Sequence, residues 1–165
     1  MAALTIFASP TAMPLPSPPP LEQSTLRSPG RIVTYSPAYT IVPTYECFNR
    51  CSYCNFRVNP GQDEWLSLTA ARQRLTWARD QGVIEVLILS GEVHPEHPQR
   101  SRWLDQIYQL AKLALELGLL PHTNVGPLTY HEFAQLITVY VSMGLLVEQV
   151  SPELLDAVDN HAPSK

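Results

Sequence analysis

Beyond Tyr35, the apolar residues of this 165-residue chain follow two rhythms in alternation. Short runs rich in Val, Ile and Leu at 39–42, 83–89, 119–124 and 145–148 read as strands. Between them the spacing is helical. Trp103, Ile107, Leu110, Ala114 and Leu117 are separated by steps of four, three, four and three and define one buried stripe. Leu68, Ala71, Leu75 and Ala78 form a similar stripe. A third helix opens with Thr129-Tyr130-His131-Glu132, a capping box in which Thr129 and Glu132 satisfy reciprocal backbone donors, and is expected to run on through Phe133, Leu136, Ile137 and Tyr140. Gly82, Gly118 and Gly144 are each expected at a helix exit, directly before a strand. A fourth helix is expected to begin near Pro152.

Strands alternating with helices imply an α/β fold with right-handed crossovers and neighbouring parallel strands, in a barrel or a doubly wound sheet. Both architectures gather functional groups at the carboxyl ends of the strands. The loops there carry residues 47–54, Ser90-Gly91-Glu92, Asn124, and Glu148-Gln149.

Composition adds a boundary at the amino end. Nine of the 16 prolines fall at or before Pro43, so residues 1–34 are expected to be a Pro-rich disordered extension and 35–165 the folded part. The formal net charge of −4 offers no basic field for nucleic acid. No apolar run approaches the ~18 residues needed to cross a bilayer. The first basic residue is Arg27 and the initial apolar stretch breaks at Pro10, which argues against a secretory signal. A cytoplasmic protein is expected.

The candidate chemistry is concentrated in sulfur. Cys47, Cys51 and Cys54 are the three cysteines of the chain, so no long-range disulfide framework is available. Intervals of four and three let three thiolates turn toward one face and hold a compact metal cluster, and three ligands on a four-iron cube leave one iron open. Structural zinc with His94, His97 or His122 as fourth ligand is the alternative, although paired C-x2-C knuckles are missing. His94 and His97 are read as surface residues, and His122 as a satisfied core histidine. Arg50 and Arg57 flank the cysteines and are read as solvated loop arginines. Tyr53 is read as a core aromatic or as a residue of the site. At the end of the second strand, Gly91 permits close backbone approach and Glu92 can accept bonds from an ammonium group. Asn124 and Glu148, each at a strand end, are candidates to bind a ribose or a polar substrate, while Asn124 equally suits a turn with Gly126 and Pro127. Walker, dinucleotide-binding, His-Glu-x-x-His and Gly-x-Ser-x-Gly signatures are absent from the sequence.

The C-x3-C-x2-C loop with Tyr53 before its last cysteine resembles the signature of the radical S-adenosylmethionine (SAM) superfamily. That resemblance implies a partial (β/α) barrel of about four strand–helix units. It implies a 4Fe–4S cluster held by Cys47, Cys51 and Cys54, with SAM on the open iron and reductive cleavage to a 5′-deoxyadenosyl radical. It places Tyr53 near the adenine, Ser90, Gly91 and Glu92 at the SAM amino group, and Glu148 against SAM. Within the superfamily, residues 35–44, 47–56, 89–95, 123–128 and 162–165 resemble the CofG branch of the 7,8-didemethyl-8-hydroxy-5-deazariboflavin (FO) synthases. That branch implies cyclisation of a tyrosine-derived hydroxybenzyl-ribityl-diaminouracil adduct to a deazaflavin with loss of ammonia. The adduct comes from a CofH-type partner, and a reducing electron donor is required. Members of the branch carry about six strand–helix units, so a truncated or split protein, with a separate carboxyl-terminal half, is expected. A different radical SAM enzyme, such as the CofH partner itself, and a non-catalytic metal-stabilised module are the alternatives.

Overall fold

The computed structural model describes residues 34–51 and 53–146. Their elements run β1 (Ala38–Ile41), α1 (Leu68–Asp80), β2 (Glu85–Leu89), α2 (Arg100–Glu116), β3 (Leu120–Asn124), α3 (Tyr130–Leu136) and β4 (Ser142–Met143). The four strands form one parallel sheet in the order β1-β2-β3-β4. Each strand thus lies beside its predecessor, with no reversal of order. A doubly wound sheet needs such a reversal, so the described part is an arc of a (β/α) barrel.

The core lies between the helices and one face of the sheet. Val86 and Ile88 alternate with half-buried residues along β2 and join Ala71 and Leu75 of α1 and Trp103, Ile107, Leu110 and Ala114 of α2 in one buried cluster. Four of the five stripe residues expected on α2 are therefore fully buried, and Leu117 caps the helix while packing against the cluster. Burying a Leu- or Ile-sized side chain stabilises by about 1.5–3 kcal/mol, so this stripe carries much of the fold. Cross-strand register puts Thr40, Leu87, His122 and Ser142 in one row across the sheet, on the face away from Val86 and Ile88.

The structure corrects the pattern in several places. Leu68, at the first turn of α1, is 47% exposed and leaves the stripe to Ala71, Leu75 and Ala78. α3 stops at Leu136, and Phe133 and Ile137 are exposed. Tyr140 is buried, but beyond the helix: its hydroxyl donates to the Ile107 carbonyl of α2 at 3.1 Å, which draws the chain off the helical path. Among the described residues the last strand precedes Gly144, where one was expected to follow it. Ser142 and Met143 pair with His122 and Thr123, and Gly144 N donates to Thr123 O at 2.8 Å. Leu145 and Leu146 are exposed and outside any strand. Val147, Glu148, the expected fourth helix and the Pro-rich residues 1–33 lie outside the described residues.

Candidate active site

Between β1 and α1 the chain forms a loop closed at its neck. Glu46 and Val58 make an isolated parallel bridge, Cys47 N donates to Val58 O at 3.2 Å, and Val58 N donates to Tyr45 O at 3.0 Å. Two carboxylates brace this neck. Glu46, 4% exposed, accepts from Gly61 N at 2.8 Å and Asp63 N at 3.1 Å through Oε1, and from Trp65 Nε1 at 3.1 Å through Oε2. Asp63 Oδ2 accepts from Thr44 Oγ1 at 2.9 Å and Tyr45 N at 2.7 Å. A buried carboxylate is tolerable only with its oxygens filled in this way. The sequence reading missed both acids. Glu46 had a signal, as a lone acid between a strand and the first cysteine.

The facing wall is the turn after β2. Gly91 N donates to Thr44 O at 2.9 Å, and Phe48 N donates to Glu92 O at 3.0 Å, so the turn is bonded to the start of the cysteine loop on both sides. A Cβ on Gly91 would stand 2.1 Å from the Glu46 carbonyl oxygen, a contact that backbone cannot yield cheaply. Glu92 is 6% exposed, and its Oε2 accepts from the buried Asn49 Nδ2 at 2.9 Å. Gly126, after β3, packs against its far side: a Cβ there would lie 2.5 Å from Glu92 Cδ.

A second layer holds this wall. Ser90 Oγ donates to Gly91 O at 2.8 Å and accepts from Trp103 Nε1 at 3.0 Å. Arg100 lies 4.3 Å over the Trp103 ring and grips Glu132 with Nε at 2.7 Å and Nη2 at 3.0 Å. It also donates to the carbonyls of Val93 and Pro127, at 2.5 and 3.0 Å. Glu132 closes the capping box that the sequence announced, accepting from Thr129 N at 2.8 Å. The Arg100 guanidinium holds the Glu132 carboxyl below the usual carboxylate range. Arg100 also went unread, yet an arginine in the first turn of a helix opposes the helix dipole and so asks for a partner.

Loop and wall enclose a cavity of about 500 Å³. Seven of the nine residues singled out from the sequence line it, namely Cys47, Cys51, Tyr53, Cys54, Ser90, Gly91 and Glu92. The volume falls in the usual range for small-molecule sites. Cys47 and Cys51 are half-buried, Cys54 is exposed, and all three are free thiols. Burial pushes the Cys47 thiol above its ordinary value, and backbone bonds at Glu92 and Asn49 offset part of the rise. Tyr53 is 52% exposed at the cavity and is not part of the core.

Other candidates stand apart. Asn124 pairs in register with Leu89 but does not line the cavity, and Glu148 lies outside the described residues. His94 and His97 are exposed, each accepting a local backbone bond through Nδ1 from Glu96 N and Gln99 N. His122 is half-buried on the sheet face turned away from the core, with Nδ1 2.6 Å from Ser142 Oγ, so it is satisfied without being a core residue. Among the described residues, no three His, Cys, Asp or Glu side chains converge on a point as a single-ion site requires. The zinc alternative therefore finds no assembled ligand set there. An iron–sulfur cluster distributes its thiolates over separate irons and does not ask for that convergence. Arg57 departs from the solvated reading: its Nε is buried and has no hydrogen-bond partner.

Over 143 residues the chain is 60% identical to the 7,8-didemethyl-8-hydroxy-5-deazariboflavin synthase of Synechococcus elongatus, covering 86% of this chain and 43% of that protein. Over that stretch the chain is closely similar to the FO synthases. The enzyme of the same name from Trichormus variabilis is 60% identical over 136 residues, 82% of this chain and 40% of its own length. The chain thus spans about two fifths of the length of these FO synthase relatives. No protein-family model matches it. Among solved structures, methylornithine synthase (PylB) superposes with a TM-score of 0.52 at 17% identity, over 66% of this chain and 32% of that one. At that identity the likeness concerns the fold, and it agrees with the barrel arc. No helix among the described residues is long and apolar enough to cross a membrane.

Proposed function

We propose that this chain carries the cluster- and SAM-binding part of a CofG-type FO synthase, a radical SAM enzyme of deazaflavin biosynthesis. The observation that carries the reading is the convergence of Cys47, Cys51 and Cys54 with Ser90, Gly91 and Glu92 on one cavity. Similarity to the FO synthases supports the choice of branch.

The residues fit the group. Three free thiols in a chain without other cysteines are the donor set of a cluster with one open iron. The opposite wall is a turn whose Gly91 packs so closely on the Tyr45–Glu46 backbone that a Cβ there has no room. Cys47, Cys51 and Cys54 would hold the cluster, Glu92 and the 90–91 backbone would receive the SAM amino group, and Tyr53 would lie against the adenine. When bound, cluster and SAM together supply one-electron chemistry that removes a hydrogen atom from the substrate. The chain's own part is positional. Asn49 and Gly126 fix the Glu92 carboxylate, and the Trp103 indole fixes the Ser90-Gly91 turn, so the acceptor for an ammonium group is set before any ligand arrives. The substrate in this reading is the tyrosine-derived hydroxybenzyl-ribityl-diaminouracil adduct supplied by a CofH-type partner, cyclised with loss of ammonia.

Anaerobic reconstitution with iron and sulfide is the test. The expected result is on the order of four irons per chain and a reduced-state electron paramagnetic resonance (EPR) spectrum that changes when SAM is added. Cys47→Ala should abolish both. Full turnover is read as deazaflavin fluorescence, with the adduct supplied and the part of an FO synthase not covered by the match added in trans. A protein that takes up zinc and no iron–sulfur cluster would overturn the reading.

A further inference from the structure

The strands carry a second set of polar residues, on the face turned away from the helices. Register aligns Thr40 of β1, Leu87 of β2, His122 of β3 and Ser142 of β4 in one row. The inner face of a (β/α) barrel is ordinarily filled by Val, Ile and Leu. Here Thr40, His122 and Ser142 put two hydroxyls and an imidazole in that place. Thr40 lines the cavity of the candidate active site, and so does Leu89, one pleat beyond Leu87 on the same face. The row is therefore continuous with that cavity.

His122 is prepared for a ligand at one nitrogen. Nδ1 shares a 2.6 Å hydrogen bond with Ser142 Oγ, which orients the half-buried ring. Nε2 has no hydrogen-bond partner among the described residues. Gly144 passes beside that edge. A Cβ there would lie 3.5 Å from both Cε1 and Nε2, so glycine leaves this side of the ring clear of protein. A polar group placed on an otherwise apolar wall, with one edge unused, is the pattern of a ligand-orienting residue.

The partner of Nδ1 decides what Nε2 can bind. A carboxylate there would hold the proton on Nδ1, whereas the Ser142 hydroxyl can donate or accept. The proton can then sit on either nitrogen, and Nε2 can accept or donate in turn. A hydroxyl on a ligand has the same two capacities. An anionic group is not favoured, because none of the four strands carries a Lys or Arg.

We infer that His122, oriented by Ser142, binds a hydroxyl group of the substrate on the inner face of the sheet and thereby contributes to specificity. The inference rests on the FO synthase reading above and adds to it a residue of substrate recognition. The adduct in that reading bears hydroxyls in two places, the ribityl chain and the phenol, so both sources are tested. No covalent bond is made or broken at His122; its part is to place the substrate.

The experiment measures adduct binding by calorimetry to the anaerobically reconstituted full chain. SAM is present, the cluster is kept oxidised, and the part of an FO synthase not covered by the match is added in trans. Two analogues are used beside the adduct, one with pentyl in place of ribityl and one with benzyl in place of hydroxybenzyl. His122→Phe should weaken adduct binding about tenfold, the size of one lost hydrogen bond. His122→Gln, which keeps a donor and an acceptor near the place of Nε2, should stay within about threefold of wild type. Ser142→Ala should cost about threefold by releasing the ring. The analogue lacking the matched hydroxyl should bind wild type about tenfold more weakly than the adduct does and lose little more in His122→Phe. Which analogue behaves in this way identifies the source. A residue that merely supports the sheet would weaken all three ligands alike. Equal adduct affinity in wild type and His122→Phe, the same loss for the adduct and both analogues, or no adduct binding to wild type overturns the inference and leaves the cluster reading standing. Absence of any SAM-dependent change in the reduced-state EPR spectrum of wild type overturns the cluster reading itself.

Discussion

The two sides of the candidate site are built in opposite ways. The wall at residues 90–92 is buried, bonded to Thr44 and Phe48 through backbone, held at Glu92 by Asn49, and backed by Trp103 and the Arg100–Glu132 pair. On the loop side, Tyr53, Cys54 and Phe56 are exposed, and the turn bond from Cys54 N to Cys51 O, 3.1 Å, ties these two cysteines to each other and not to the wall. On the proposed reading, the difference separates a wall that the polypeptide builds by itself from a loop that a bound cluster would complete. Affinity gained by ordering such a loop appears as folding free energy on metal binding.

Breaking the wall should have the largest effect. Gly91→Ala forces a methyl group to 2.1 Å from the Glu46 carbonyl oxygen, and since a Cβ has no rotamer freedom and the carbonyl is backbone, the turn must move. We expect a loss of about 3 kcal/mol or more in urea denaturation, with little iron taken up on reconstitution. An unchanged midpoint would show that the wall yields, and the contrast with the loop would disappear. Arg100→Met comes next. It leaves the Glu132 carboxylate without its cation in a largely buried position and frees the Val93 and Pro127 carbonyls, at a cost of about 3 kcal/mol. Adding Glu132→Gln should recover part of that loss.

Acid gives a smaller, graded test. The folded-state pKa of Glu132 is lowered by Arg100, so its contribution is complete above the unfolded carboxylate value of about 4.3 and is lost as pH falls through the lower folded value. Denaturation midpoints measured from pH 5 down to pH 3 should fall in wild type, with a shallower slope in Glu132→Gln. The smallest effect is expected on the loop side. Cys54→Ser should change apo-protein stability by no more than about 0.5 kcal/mol, because the side chain is exposed, yet it should sharply reduce iron uptake. A large stability loss in the apo form would mean that the loop is ordered without a cluster.

The same contrast explains what the sequence could reveal. Elements whose pattern is set by burial were legible: the α2 stripe, the apolar run of β2, and the capping box at Thr129 and Glu132. The cysteines and the Ser90-Gly91-Glu92 turn were legible because their residue types are scarce and chemically pointed. What escaped depends on long-range polar pairing, which has no period. Arg100 meets Glu132 across 32 residues, Asn49 meets Glu92 across 43, and Glu46 meets Trp65 across 19. The last strand was misplaced for a related reason. Gly144 looks like Gly82 and Gly118 in sequence, but Tyr140 had already been drawn under α2 by a single hydroxyl bond, so the strand forms earlier and lasts only two residues.

Trp103 gives the wall an optical consequence. Its indole is fully buried and hydrogen-bonded to Ser90 Oγ and Gly91 O, whereas Trp77 is 46% exposed. With Trp65 half-buried, the most buried of the three indoles is therefore a ring one bond away from the turn proposed to receive the ligand. On the proposed reading, occupancy of that turn should alter the emission of this ring, with no label attached.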